Sequence, residues 1–431
     1  MIFSYIVIAL TLLSMILAII FNWKIKIKNT YLALYWIILS IGGILCLIFG
    51  FAPINQVADS FFSSSAINPL KILVIFISLT LLSVLLDGIG FFKYLAKLVL
   101  HKAKASQTKL FVSFYLIISL LTIITSNDII ILTFTPFICY FTKHAKINPI
   151  PYIISEFVAA NTWSTFLIIG NPTNIYLGTS FGIDFITYFI NMAIPTIIAS
   201  ATSFLILYLL FRKELKKPIN IEEEYKKTRL NKSYLIISLS SLVTCIVFMA
   251  ISSYINIEMW YIPLICAVIS FVGCLIASTV QKRSKLFILR ALKKTPFSLI
   301  PFLLSMSIII IALQNNGFIP ALANFIEGKN IILVGLISFL FANIINNIPM
   351  SMLFASTFSA ITSVTSKSVF ASIFASNICA FLTPVGALAG IMFMNLLKQN
   401  KIKFSYKNFI LYGLVLAIPT LLVGLTTLYL I

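Results

Sequence analysis

The chain has 431 residues, of which 60% are hydrophobic and 10% charged, with a mean hydropathy of +1.08. Soluble proteins carry about 25% charged residues, so the composition excludes a soluble enzyme or regulator and indicates an all-α polytopic membrane protein. A formal net charge of +20 would point to nucleic acid in a soluble chain, but here the basic residues cluster between apolar runs and mark topology and contact with the lipid bilayer.

In chain order, Ile2 to Phe21 is apolar and is followed by Lys24, Lys26 and Lys28. A signal peptide carries its basic residues first and a small-residue cleavage site after the apolar run, so this reads as a retained span with its N-terminus outside. Tyr31 to Phe51 returns outward and Leu70 to Phe92 comes back in, with Lys93, Lys97, Lys102, Lys104 and Lys109 on the inner face. Leu110 to Thr142 then holds about 33 residues, with the polar knot Thr125-Ser126-Asn127-Asp128 at its centre and basic residues at both ends. One helical crossing needs about 20 residues and two need about 40. The arms are therefore expected to be too short for separate spans, and the stretch reads as a re-entrant hairpin entering from the cytoplasm. Backbone that leaves helical geometry at that depth is either buried in protein or lines a wet cavity.

Ile150 to Phe181 crosses outward and is broken at Gly170-Asn171-Pro172-Thr173-Asn174, where proline removes a helical hydrogen bond. Phe185 to Phe211 returns to residues 212–232, the most charged loop, whose Glu222, Glu223 and Glu224 read as a solvated face. Ser233 to Ile255, Trp260 to Val280 and Phe297 to Leu313 are further spans. Ile331 to Val364 is a second hairpin, with Asn346-Asn347-Ile348-Pro349 at its tip and almost no basic residues beside it, so it is expected to enter from outside. Val369 to Leu397 is broken at Thr383-Pro384-Val385-Gly386, and Phe409 to Leu430 finishes outside. This layout puts 28 of the 31 Lys and Arg inside, as the positive-inside rule requires.

The halves repeat. Leu86-Asp87-Gly88-Ile89-Gly90-Phe91 matches Leu313-Gln314-Asn315-Asn316-Gly317-Phe318, Asn127-Asp128 matches Asn346-Asn347, and Asn171 to Asn174 matches Thr383 to Gly386, all in the same order. The expected architecture is about ten transmembrane helices plus two re-entrant hairpins and two broken helices. They form two repeats, residues 1–211 and 233–431, joined by a cytoplasmic linker at 212–232. An odd number of crossings per half inverts the second repeat, as in secondary transporters.

These strings carry a resemblance. Leu85 to Phe91, Ser126-Asn127-Asp128 with Leu132 and Pro136, Gly170 to Asn174, Asn346 to Pro349, and Leu382 to Ala389 together resemble the ion transporter superfamily over nearly the whole chain. The local match is strongest to the arsenite-efflux permeases, within a group that also holds sodium/proton antiporters, citrate-type transporters and divalent anion/sodium symporters. The resemblance implies an ion-coupled carrier of arsenite or antimonite, or alternatively of carboxylates or inorganic anions, in the plasma membrane. It leaves open a homodimer or a partner ATPase. Where the arsenite permeases tend to have an acid six positions before the Thr-Pro pair, this chain has Asn377.

Broken helices expose N–H groups on one side and free carbonyls on the other, which suits an oxyanion or hydroxylated solute together with a proton or sodium ion. Asn, Thr and Ser at the breaks add donors and acceptors. Asp128 is the leading coupling-ion group, since a carboxylate at membrane depth costs about 2.5–3.5 kcal/mol on insertion scales; the alternative is a helix cap. Asp87 is expected in an interfacial ion pair with Lys93, or as a cap or transport group. Glu156, about two turns inside the membrane, is read either as a transport group or as a residue that snorkels or faces water, and Cys139 and Cys379, which flank the site, are expected to pack as apolar residues. No cofactor is expected: the six cysteines form no CxxC pair, only two histidines occur, and no nucleophile–base pair or nucleotide loop marks an enzyme.

Overall fold

The computed structural model describes residues 2–27, 30–62, 68–103, 106–219, 230–362 and 364–431. Helix α1 (Ile2–Ile20) leads into strands β1 (Lys24–Ile27) and β2 (Thr30–Ala33), then α2 (Leu34–Ile48), α3 (Ile54–Phe62), α4 (Pro69–Ile89) and α5 (Phe91–Ala103). The first hairpin is α6 (Gln107–Ile124) and α7 (Asn127–His144). The first broken span is α8 (Ile150–Trp163) and α9 (Pro172–Ser180), followed by α10 (Phe185–Leu215). The succession then recurs: α11 (Lys232–Ile251), α12 (Tyr261–Val280), α13 (Leu286–Lys294), α14 (Leu299–Asn315), α15 (Phe318–Ile326), hairpin α16 (Ile331–Ile345) and α17 (Asn347–Ser359), broken span α18 (Ser366–Ile378) and α19 (Leu388–Gln399), and α20 (Tyr406–Leu430).

Local chemistry sets the boundaries. Asn68 caps α4 by accepting from the Leu70 and Lys71 amides, with Pro69 in the first turn where its missing N–H costs nothing. Asp184 and Asn231 cap α10 and α11 in the same way. Gly90, with φ +90°, ends α4 in the left-handed conformation that a side chain disfavours.

The protein is a polytopic helical membrane protein. Among the described residues, eight stretches are long and apolar enough to cross a bilayer, including the combined stretch Leu286–Asn315. Three of the expected ten drop out, because α2 has only 15 residues and the two broken spans are divided into shorter helices, and α6 adds one. Two expectations need correction. Arm α6, at 18 residues, is itself long enough to cross, so arm length does not establish the first hairpin as re-entrant. Residues Tyr31 to Ala33 do not begin a span: they pair with β1 as an antiparallel hairpin. The alternation Lys24-Ile25-Lys26-Ile27 has the two-residue period of a strand, and Thr30 and Tyr31 favour that geometry.

The packing interleaves the two parts of the chain. Helix α2 lies against α14 and α4 against α12; α7 lies against α19 and α9 against α17; α10 lies against α20. Helix α4 is also pinned at both ends to the later part, by Lys71–Glu258 and Asp87–Lys294 ion pairs, each 2.5 Å. Helix α10 extends past the anticipated boundary to Leu215, and Glu222, Glu223 and Glu224 lie outside the described residues.

Candidate functional site

The first break is built around a missing side chain. A Cβ on Gly170 would stand 2.2 Å from the Ser164 carbonyl oxygen, so only glycine lets the chain fold back there. Asn171 then caps α9, its Oδ1 accepting from the Thr173 amide at 3.1 Å, and Pro172 supplies the first turn. The break leaves carbonyls without helical partners. Asn174 Nδ2 satisfies two of them, donating to Ser164 at 2.7 Å and Leu167 at 3.2 Å.

The second broken span meets the first at this point. Asn377 Nδ2 donates to Asn174 Oδ1 at 2.7 Å, the Ser164 hydroxyl donates to Asn377 Oδ1 at 2.7 Å, and the Thr173 and Ser376 hydroxyls are 2.9 Å apart. All five side chains are fully buried. Asn377, where an acid was anticipated by resemblance, thus ties the two breaks together.

From this crossing a polar seam runs to both hairpin tips. Toward the first, Ser164 Oγ also lies 2.7 Å from the Asn161 carbonyl, and Asn127 Nδ2 donates to Asn161 Oδ1 at 2.9 Å. Toward the second, the Cys379 thiol donates to the Ser376 and Gly386 carbonyls, and the Asn347 amide donates to Gly386 at 2.9 Å. Asn346 Nδ2 donates to the Val385 carbonyl at 2.8 Å, and Thr383 Oγ1 to Asn343 Oδ1 at 2.9 Å. At each end of the seam one buried amide oxygen, Asn127 Oδ1 or Asn347 Oδ1, has no hydrogen-bond partner. Buried polar atoms are seldom left so.

Asp128 stands apart from the seam. It lines a cavity of about 280 Å³ between α1, α4, α7, α14 and α19, together with Tyr35, Thr80, Ser126 and the exposed Lys24 and Lys294. No hydrogen bond or ion pair holds its carboxylate among the described residues. Thr125 is not brought to this cavity or to the seam: its hydroxyl closes the end of α6 on the Leu121 carbonyl at 2.6 Å. Pro384 turns the chain between α18 and α19, its carbonyl oxygen 2.7 Å from where a Gly390 Cβ would sit.

Two acids differ from expectation. Asp87 pairs with Lys294, not Lys93, and also accepts from Thr133 Oγ1 at 2.9 Å. Glu156 neither snorkels nor faces water: it is fully buried against the Thr135 hydroxyl. Asn161, Ser164, Asn343 and Ser376 join the site without having been singled out. Each is a polar residue within a few positions of a break or tip in an otherwise apolar helix, and that spacing was the available signal.

Comparison with known proteins matches residues 15–368 to the CitMHS family, described as citrate transporter. The chain belongs to this citrate transporter family. It is therefore an integral protein of the plasma membrane and a membrane transporter. A putative arsenical pump membrane protein of Bacillus subtilis is 26% identical over 380 residues, covering 81% of this chain and 85% of the relative. An arsenical pump membrane protein of Escherichia coli K12 is 24% identical over 373 residues, covering 82% and 84%. A 46 kDa membrane protein of Mycobacterium leprae is 22% identical over 399 residues, covering 88% and 90%. Among solved structures, the Alcanivorax borkumensis YdaH transporter shares the fold with a TM-score of 0.59 at 14% identity, covering 100% of this chain and 97% of that one.

Proposed function

We propose that this transporter exports a small, neutral, hydroxylated metalloid of the arsenite or antimonite type by alternating access, with Asp128 as its coupling-ion group. The observation that carries the reading is the charge pattern of the site. The buried seam offers only amide, hydroxyl, thiol and backbone groups, and the cavity's one carboxylate, Asp128, has no buried cation beside it. A neutral polyhydroxyl solute needs donors and acceptors of that kind and no counter-charge, whereas a buried di- or tricarboxylate needs paired cations. The names of the arsenical pump relatives support the same choice.

The architecture is that of two inverted repeats whose hairpins and breaks meet at the bilayer midplane. Support comes from the packing, in which α2–α14 and α4–α12, and likewise α7–α19 and α9–α17, become equivalent when ten elements separate the repeats. The cavity opens beside Lys24 and Lys294 on the basic, cytoplasmic face, so the described conformation faces inward.

A second reading, a sodium- or proton-coupled carboxylate transporter, draws on the same two lysines and on the family's description. Proteoliposomes offered arsenite, citrate, succinate and sulfate under imposed proton or sodium gradients separate the two. Arsenite flux alone is the expected result, and gradient-driven citrate or succinate uptake without arsenite flux selects the second reading. Deleting the gene is expected to sensitise cells to arsenite.

A further inference from the structure

Glu156 lies in the middle of α8, fully buried, and neither the Asp128 cavity nor the seam uses it. The Thr135 hydroxyl of α7 is 3.0 Å from one of its carboxylate oxygens and 2.9 Å from the other. One hydroxyl proton cannot satisfy two charged oxygens, and no lysine, arginine or histidine pairs with Glu156 among the described residues. The basic residues of the helices packed against α8, Lys109 of α6, Lys143 and His144 of α7, Arg212 and Lys213 of α10 and Lys367 of α18, lie toward the helix ends, and none forms an ion pair with Glu156 among the described residues. Cys139 lies one turn beyond Thr135 on α7 and carries no positive charge. Tyr115 of α6 is engaged by Ser200 and Ser203, Tyr188 of α10 donates to the Thr165 carbonyl, and Cys379 beside α18 donates to Ser376.

A bare carboxylate in such a place is strongly disfavoured. A metal cation does not fit the donor set, since Glu156 and Thr135 offer three oxygens and a calcium-like ion takes about six to eight. A proton needs only one oxygen, and it lets the acid and the hydroxyl donate and accept in turn.

We propose that Glu156 is a second ion-exchange site of the transporter, holding a proton in the conformation described here and releasing it when α7 moves against α8. The proposal rests on the transport reading above. Thr135 lies two turns from Asp128 on the same face of α7, about 10 Å along at 1.5 Å per residue. A second buried side-chain tie between α7 and α8 is Asn127–Asn161, at the hairpin tip itself. A displacement of the tip therefore loosens both ties together. The proton passes from the Glu156 oxygen to water admitted between the helices, leaving a carboxylate, and is regained from water on the other face.

Infrared spectroscopy of the purified full-length protein at neutral pH, paired with flux in proteoliposomes, tests this. Wild-type protein and Asp128→Asn should show the carbonyl-stretch band of a protonated carboxylic acid, which Glu156→Gln removes and Thr135→Val shifts. Glu156→Gln should keep arsenite counterflow without a gradient and lose accumulation driven by a proton gradient. The proposal is overturned if Glu156→Gln leaves the band intact or accumulates arsenite under a proton gradient as wild type does. A band lost in Glu156→Gln, with no proton-driven flux of any offered solute by wild type, overturns the transport reading and the exchange role while leaving the proton where it was assigned.

Discussion

The two hairpin tips occupy corresponding places in the chain and are held in opposite ways. At the first, Ser126 is extended, with φ −150°, and makes no side-chain cap, and Asp128 beside it faces a cavity. At the second, Asn346 sits at φ +78° and ψ 153°, a region open in practice only to glycine, and its amide bonds the Val385 carbonyl while its Oδ1 accepts from Ile348. Asn347 adds a backbone bond to Gly386. The second tip is strained and locked to its break, and the first is relaxed and open on one side. The second tip is held by contacts that the first lacks.

Gly170→Ala drives a methyl against the Ser164 carbonyl, and Gly386→Ala drives one against the Cys379 carbonyl at 2.7 Å. Both are backbone atoms that cannot give way, so each should destabilise by about 3 kcal/mol, Gly170→Ala the more. Thermal unfolding in detergent reads the difference, and equal midpoints to wild type would remove the argument for the breaks. Asn346→Ala loses a cap and a bond to the facing break while keeping a conformation unfit for a side chain, and should cost about 2 kcal/mol. Ser126→Ala should stay within about 0.5 kcal/mol. If the two substitutions cost the same, the tips are not anchored differently.

Hydrogen exchange tests the same contrast without mutation. The amides of residues 126–129 should exchange faster than those of residues 346–349, because fewer partners must be broken to open the first tip. The smallest effect comes from Lys71–Glu258, which pins one end of α4. The Lys71 ammonium holds the Glu258 carboxyl below the ordinary carboxylate range. Its contribution is present above the unfolded-state value and is lost as pH falls through the lowered one. Since the pair is half exposed, acidification should remove less than about 1 kcal/mol through it, and Glu258→Gln should abolish that increment in a pH series of unfolding midpoints.

Much of this frame was legible because hydropathy and helix breakers act locally. The knots at Thr125 to Asp128 and Asn346 to Pro349, and the breaks at Gly170 to Asn174 and Thr383 to Gly386, lie where the helices are interrupted. What could not be read depends on distant residues. Asp87 finds Lys294, far along the chain, because α4 packs against α13, and no local pattern encodes that pairing. Glu156 has the spacing of a snorkelling residue, but neighbouring helices cover it completely. The β1–β2 hairpin was written in the alternation of lysine and isoleucine, yet those lysines also mark topology, and the second signal hid the first. The burial of the Asn127 and Asn347 amide oxygens likewise depends on contacts between elements far apart in the chain.

The most direct test of the central claim is proton-gradient-driven arsenite flux in proteoliposomes bearing wild type or Asp128→Asn. The account predicts saturable, gradient-dependent arsenite accumulation by wild type, and flux at the level of empty vesicles for a folded Asp128→Asn protein. Undiminished gradient-driven arsenite flux in Asp128→Asn would contradict it.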